Sequence, residues 1–419
     1  MSLAHTLYLC YFGLREPLVQ TQVLPYLREL REINIKISLL TFEPDFKAKW
    51  SRNEIDKQKR ELAAEDIDWY CLPYHKRPSV PATAFDIANG ARFARRMIRD
   101  KGVNILHARV HVPAMMGAIA KNLSGGRVKL LFDIRGFMPE EYTDAGVWQA
   151  NSPLYRNVKK IEKWLLAKSD AFVVLTEKAR QILFPESAAS GFEKMNRPVA
   201  VIPCCVDLKR FEAVTGAARR EVRQQLNLAG RRVIIYVGAL GGWYLTEEMA
   251  DFLAVAKEQN QKTFALVLTQ SPTEMIAPLL RARGFAETDF LVTKVSPREI
   301  PRYLSAADAA LSFIKPCFSK LSSSPTKIAE YLASGLPIIS NGGVGDVAEM
   351  IEADRVGAVV ADFGQAEYLK ALQRVEDLSA EESFAERCRQ SARERFDLEK
   401  VGGAKYRSLY KKILSTGQK

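Results

Sequence analysis

The 419-residue sequence predicts an α/β protein built from two parallel-sheet domains. Three observations carry that expectation. Short apolar runs rich in β-formers alternate with longer amphipathic segments along the chain, the pattern of buried parallel strands joined by right-handed crossovers. The length exceeds what one core usually serves, so two domains of roughly 200 residues are the default. The alternation also restarts once: a strand ends at Pro203 in "VIPCCVDLKRF", and a fresh series opens at "RRVIIYVGAL".

Taken in order, Leu7–Tyr11 reads as a buried first strand. It is too short for a signal peptide, with no basic residues before it and no convincing small-residue cleavage site after it. A helix over Gln22–Glu32 and a strand over Ile35–Leu40 follow, then a helix over Phe85–Arg99 and strands at Ile105–His107 and Lys129–Asp133. A helix over Ser152–Lys168 and strands Ala171–Leu175 and Val199–Ile202 complete a first domain placed at 1–205. The second, at 206–395, holds strands Val233–Val237, Ala265–Leu268, Ala309–Ser312, Ile338–Ser340 and Gly357–Val360, with helices over Glu247–Gln259 and Ala366–Glu376. The tail "KVGGAKYRSLYKKIL" reads as a helix with Tyr406, Leu409, Tyr410 and Ile413 near one face. Each sheet has its ligand crevice at the carboxyl ends of its strands, so a cleft between the domains is the expected site.

Composition narrows the class. With 47% hydrophobic and 26% charged residues the chain is that of a globular protein. No run approaches the roughly 18 apolar residues of a spanning helix. Six scattered cysteines lack metal or disulfide spacing, which fits a reduced, cytoplasmic setting. The net charge of +12 suits a polyanionic partner, yet no DNA- or RNA-binding module signature appears, so nucleic acid is not the expected one.

The most informative stretch is "SSSPTKIAEYLASGLPIIS", residues 322–340. Ser324 is a good N-cap and Pro325 suits the first helical position. The next amides then point outward at the positive end of a helix dipole, where Lys327 adds a full charge, a combination that attracts phosphate. Glu330 lies one turn on, where a carboxylate can accept two ribose hydroxyls. The plain alternative is a capped surface helix with a Lys327–Glu330 pair worth a few tenths of a kcal/mol. Spacing alone leaves both readings open.

The same stretch, extended to "SNGGVGDVAEMI", resembles the donor-binding segment of retaining glycosyltransferases of family 4, which have the GT-B fold. Nearly the whole chain shares the resemblance. "QTQVLPYLRELREINIKISLLTFE" is similar to the family's first helix and second strand. "ILHARVHVPAMMGAIAKNLSGGRVKLLFDIRGFMPEEY" resembles a segment common in one bacterial branch, and "VIPCCVDLKRF" the usual entry to the second domain. "YRSLYKKIL" looks like the helix that crosses back onto the first domain, here about 396–419. The resemblance implies two Rossmann-like domains facing across a cleft, and transfer of a sugar from a nucleotide-sugar donor to a glycan or lipid-linked acceptor, with retention and without metal. It implies that Glu330 accepts the ribose hydroxyls, that Ser324, Thr326 and Lys327 lie at the diphosphate, that Gly238 also binds the donor, and that backbone near Val295 and Ser296 passes the base. A UDP-sugar is favoured, with GDP- or ADP-sugars as alternatives, and no separate cofactor is expected. Asp133 and Arg135 are expected to face the cleft as catalytic candidates, joined by His107.

Three positions depart from the family pattern. Ser322 stands where many members carry a first glutamate, and Ala239 and Tyr244 stand where many carry a diphosphate-binding arginine and lysine. Lys315, Lys320, Lys327 and Arg135 are the replacement cations expected to meet leaving-group charge. His107 and His111 are not expected to share a metal, because a strand end and Pro113 separate them from one helix face. Glu140 and Glu141 can equally cap a helix. The basic stretch 46–66 either forms a solvated helix or offers Lys47, Lys49, Trp50 and Arg52 as a rim for a lipid-linked acceptor or an anionic inner membrane face. Two rival functions remain: a nucleotide-sugar epimerase-like enzyme on the same fold, or a non-catalytic nucleotide-sugar-binding protein.

Overall fold

The computed structural model describes residues 4–415 and divides into two compact units. One contains the chain up to Pro203 together with the segment from Gly402; the other is Cys204–Val401. The second unit thus begins two residues before, and ends six residues after, the bounds of 206 and 395 read from sequence.

The first unit is built on a seven-stranded parallel sheet. Its strands are β1 (His5–Leu9), β2 (Lys36–Glu43), β3 (Ile67–Pro73), β4 (Ile105–Arg109), β5 (Lys129–Asp133), β6 (Ala171–Val174) and β7 (Val199–Val201). Their spatial order is β3-β2-β1-β4-β5-β6-β7, reversing direction of travel between β1 and β4 as in a doubly wound sheet. The central strands β1, β4 and β6 are buried along their whole length, which is why they read as continuous apolar runs. β3, at the edge, was missed: only its first and third residues are fully buried, so its apolar signal is diluted.

The expected Gln22–Glu32 helix is divided. Pro17–Gln22 and Leu24–Leu30 are separate helices meeting at Val23, and a short tight turn, Arg31–Ile33, completes the segment. Pro25 explains the break, since it has no N–H to donate back into the preceding turn. The C-terminal helix Ala404–Ser415 belongs to this first unit. Tyr406, Leu409, Tyr410 and Ile413, spaced to share one face, are all at most 2% exposed. Burial of four such side chains contributes about 1.5–3 kcal/mol each before entropy is counted.

The second unit carries six parallel strands: β8 (Arg232–Val237), β9 (Thr263–Leu268), β10 (Phe290–Thr293), β11 (Ala309–Ser312), β12 (Ile338–Asn341) and β13 (Gly357–Val360). Their order is β10-β9-β8-β11-β12-β13. Two apolar layers cover its faces, one around Ile235, Leu266 and Tyr331, the other around Phe252, Phe313 and Tyr368. At the β12–β13 edge a Cβ on Gly357 would sit 1.9 Å from the Ile338 carbonyl oxygen, so only glycine lets these strands meet. β10 is the other strand missed from sequence, and it too is a half-exposed edge.

Candidate functional site

In the second unit, the Thr326–Ala333 helix starts just beyond β11 and presents Lys327 and Glu330 inward. Ser324 is not its cap. Pro325 occupies that position without a side-chain bond, and the Ser324 hydroxyl instead accepts the Cys204 amide at 3.1 Å. The expected Ser324 N-cap is therefore corrected: the proline starts the helix one residue later, and the serine pins the first residue of the unit. Thr326 is the first helical residue and is half-buried.

Lys327 is 7% exposed, and its Nζ has no hydrogen-bond partner. The ammonium lies 4.0 Å from the Tyr236 ring centre and 4.5 Å from that of Tyr244. At the position where the resemblance leads one to expect a lysine, Tyr244 thus offers an aromatic face against which the Lys327 cation rests. Gly238 follows β8 with φ +144, and a Cβ there would lie 2.7 Å from Lys327 Nζ. That glycine leaves room for the lysine head, and its amide donates to the Leu268 carbonyl at 3.0 Å. Burial lowers the Lys327 pKa to about 7, against a smaller opposing pull from Glu330.

Glu330 is 8% exposed, and burial raises its pKa to about 7, partly offset by Arg210 and Lys327. Arg210 Nη1 stands 3.9 Å from its carboxylate, while Arg210 Nη2 donates to the Pro297 carbonyl at 2.6 Å. One guanidinium thus connects Glu330 with the segment carrying Val295 and Ser296. Sequence reading passed over Arg210, although it lies in the quoted "VIPCCVDLKRF". The Val295 carbonyl accepts from Gln270 Nε2 at 3.0 Å, and the exposed Ser296 bonds Glu299 through both amide and hydroxyl.

The replacement lysines differ in setting. Lys320 is buried with Nζ 3.9 Å from the Trp243 ring centre, whereas Lys315 is exposed and its amide bonds the Trp243 carbonyl at 2.8 Å. Ser322 is buried, its hydroxyl donating to the Ser319 carbonyl at 2.7 Å. A glycine loop after β12 packs on the same loop. The Gly345 amide donates to the Lys320 carbonyl at 2.8 Å, and Gly343 approaches Pro316 too closely for a side chain. Three glycines within "NGGVGD" immediately after a strand were the available signal for this loop. The arrangement offers a buried cation, neighbouring basic groups and a carboxylate one helical turn away, suited to a diphosphate joined to a diol.

In the first unit the catalytic candidates do come together, but as a buried cluster. Asp133 is fully buried, with Oδ2 accepting the Tyr406 hydroxyl at 3.1 Å. Around it stand His107 Nε2 at 3.6 Å, Arg135 Nη1 at 3.6 Å and Arg109 Nη1 at 3.8 Å. His107 Nδ1 is 2.9 Å from the Tyr410 hydroxyl. The expectation that Asp133, Arg135 and His107 face the cleft is corrected: Asp133 and His107 are buried, bonded by the hydroxyls of Tyr406 and Tyr410 from the C-terminal helix, and the Arg135 side chain is 5% exposed. Burial alone would raise the Asp133 pKa, but Arg135, His107 and Arg109 outweigh it and hold the carboxylate at about 2. Burial lowers the His107 pKa despite Asp133.

Beside this cluster Val110 has φ +63, a strained setting for a β-branched residue. It immediately precedes His111, whose Nε2 is 3.2 Å from Glu162. Glu162 in turn binds Lys159, which reaches Glu140 at 3.0 Å. Gly136 would carry a Cβ 2.8 Å from a Glu141 carboxylate oxygen, so that acid lies over the loop following β5. At the end of β2, buried Glu43 accepts from the Leu14 amide at 2.9 Å, Thr41 and Trp50. No sequence motif announced that bracing of the loop after β1.

Trp50 is corrected as a rim residue. It is 7% exposed, donates its indole N–H to Glu43 at 3.0 Å, and lies beneath Arg15. Lys47 and Arg52 are exposed, and exposed Lys49 pairs with Asp45 at 2.9 Å. Asp66 and Asp68 have the Asp-x-Asp spacing of a metal-carboxylate motif that sequence reading overlooked. They pair instead with Arg31 and Lys36 at 3.7 and 3.4 Å. Among the described residues no group of three or more His, Cys, Asp or Glu is arranged to hold a metal ion, and no helix is long and apolar enough to cross a membrane.

Comparison with known proteins addresses the whole chain. Residues 19–210 match the family model described as Glycosyltransferase Family 4, and residues 218–395 that described as Glycosyl transferases group 1. Spore coat protein SA of Bacillus subtilis is 24% identical over 218 residues, spanning 48% of this chain and 55% of that protein. Among solved structures, a glycosyltransferase from Rickettsia africae has TM-score 0.72 and 14% identity, with 99% of each chain covered. Anabaena HepE in complex with UDP has TM-score 0.69 and 15% identity, covering 97% of this chain and all of that one. Sucrose-phosphate synthase from Thermosynechococcus elongatus has TM-score 0.68 and 15% identity, covering 98% and 100%.

Proposed function

Because the chain belongs to the family 4, group 1 type of glycosyltransferases, nucleotide-sugar-dependent enzymes of GT-B fold, we propose that its donor is a UDP-sugar held by the second unit. The observation that carries this reading is the pairing of Lys327 and Glu330, one turn apart, both buried, with the lysine head unbonded beside Gly238. A diphosphate supplies the anion that Lys327 lacks, and ribose hydroxyls supply donors for Glu330. HepE complexes with UDP and with UDP-glucose support uridine over guanine or adenine.

The proposed reaction transfers the sugar with retention to a glycan or lipid-linked acceptor in polysaccharide or glycoconjugate synthesis. The bond from the sugar anomeric carbon to the diphosphate oxygen breaks, the acceptor oxygen bonds that carbon, and the acceptor proton passes to the departing diphosphate. Lys327, with Lys320, Lys315 and the Thr326 helix start, stabilises the charge that develops there, so this reading needs neither a metal ion nor a separate cofactor. Asp133, Arg135 and His107 act as positioning residues that fix the carboxyl ends of β4 and β5. Exposed Lys47, Lys49 and Arg52 support a cytoplasmic enzyme touching an anionic membrane face.

The test is a thermal-shift and transfer panel with UDP-, GDP- and ADP-sugars, since a bound donor raises stability by mass action. Stabilisation by UDP-sugars above the others, and turnover with an acceptor extract, is expected. Failure of every nucleotide to stabilise the protein would overturn the proposal.

A further inference from the structure

A solvent-open pocket of about 260 Å³ lies within the first unit, lined by the Glu177–Leu183 helix, the edge strand β7 and the C-terminal helix, with no residue of the Asp133 cluster in its lining. Its charged lining is Arg180, Lys405 and Lys412 against the single carboxylate of Glu177, with the hydroxyls of Ser187 and Ser408. Glu177 already accepts from Arg180 Nε at 2.5 Å, which leaves the outer guanidinium for another acceptor.

Among the described residues that acceptor is lacking. Arg180 Nη1 is buried and has no hydrogen-bond partner, an arrangement that ordinarily costs about 1–3 kcal/mol. Lys405 uses one N–H on the Val201 carbonyl at 3.0 Å, and an ammonium has two more. Lys412 Nζ lies 5.0 Å from the Phe192 ring centre and 3.7 Å from the point where a Gly191 Cβ would stand. Three cations from two elements, a buried donor without an acceptor and the Ser408 hydroxyl fit a tetrahedral anion with several acceptor oxygens, while the Ser187 hydroxyl is spent on the Phe184 carbonyl at 2.7 Å.

We propose that this pocket binds a phosphate monoester of about monosaccharide-phosphate size. The anion would tie the C-terminal helix to the Glu177–Leu183 helix. Tyr406 and Tyr410, on another face of the C-terminal helix, hold Asp133 and His107, so occupancy steadies the cluster from behind. The site is independent of the donor reading, because none of its residues belongs to the second unit.

The experiment titrates the full chain with inorganic phosphate and with glucose 6-phosphate, followed by thermal shift and calorimetry. Wild type is compared with Arg180→Gln/Lys412→Gln, with the milder Arg180→Lys, and with Lys327→Met as the donor-site control. Saturable binding that persists in Lys327→Met, falls at least tenfold in the double variant and weakens in Arg180→Lys is the expected result. Vesicles of phosphatidylcholine with or without phosphatidic acid separate the sources of the phosphate: Arg180-dependent sedimentation only with phosphatidic acid identifies a lipid headgroup. Absence of binding by wild type in every arm overturns the proposal, as does equal binding by wild type and Arg180→Lys.

Discussion

The ammonium nitrogen of Lys327 rests 4.0 Å from the centre of the Tyr236 ring, a buried cation facing an aromatic surface with no hydrogen-bond acceptor. Such a group is costly to keep charged, and its pKa near 7 measures that cost. The unfolded chain holds this proton up to the ordinary value of 10.5, so folding expels it between pH 7 and 10.5 and stability grows with pH there. Lys327→Met is expected to stabilise the protein by about 1–3 kcal/mol at neutral pH, while abolishing donor binding. A melting temperature at or below that of wild type would contradict this.

Glu330 titrates in the opposite sense. Its folded pKa of about 7 exceeds the ordinary 4.5, so folding takes up a proton between them and this contribution to stability is lost as pH rises towards 7. Ribose hydroxyls favour the ionised carboxylate and a diphosphate favours the ammonium of Lys327. Nucleotide binding should therefore release a proton below pH 7 and take one up above it, giving an affinity maximum near neutrality. Calorimetry of UDP binding in buffers of different ionisation enthalpy reads both signs, and a flat affinity from pH 5.5 to 8.5 (about 1.5 units either side of these values) would refute the coupling.

If Glu330 accepts the ribose hydroxyls as proposed, Glu330→Ala should weaken nucleotide affinity by about 1–3 kcal/mol through lost charged hydrogen bonds. Unchanged UDP affinity in this variant would dismiss the ribose assignment.

Gly238→Ala acts through the same lysine. The new methyl would stand 2.7 Å from Lys327 Nζ and 3.2 Å from the Tyr236 hydroxyl, at a φ that disfavours side chains. Donor affinity should fall at least as far as in Glu330→Ala, with about 1–3 kcal/mol of stability lost to strain. Retained affinity and stability would show that the close approach is unimportant.

Asp133→Asn tests the buried cluster. Neutralising the carboxylate removes the negative charge that Arg109 and Arg135 face at 3.8 and 3.6 Å in a buried setting, expected to cost about 3–5 kcal/mol. The Asp133 contribution in wild type is present above the ordinary value of 3.8 and is lost as pH falls towards 2. Acid unfolding monitored for the two proteins should converge over that range. Tyr406→Phe, which removes only the hydroxyl donor, should cost about 0.5–1.5 kcal/mol.

What could be read from the sequence was what is local in it. Lys327 and Glu330 declare their relationship within four residues, and β11 through β13 show as uninterrupted apolar runs because both faces are covered. β3 and β10 escaped notice since each has a half-exposed edge. The enclosure of Asp133 was hidden for a different reason. The residue that bonds it, Tyr406, lies 273 positions away, and no periodicity reports such a distance. Arg210 escaped similarly, because its pairing with Glu330 depends on how two separated elements pack.

The last helix also sets an order of events during synthesis. Strands β1 to β7 leave the ribosome early, yet Asp133 and His107 receive their hydroxyl partners only after all of Cys204–Val401 has been made. A nascent chain must hold four buried ionisable groups in an unfinished core while a complete second unit is translated, at about 5–20 residues per second. The interval lasts tens of seconds or less, and it is the time when a chaperone has most to protect. Chains halted before residue 404 are expected to be recognised by proteases as incomplete, even though every strand of both sheets is already present.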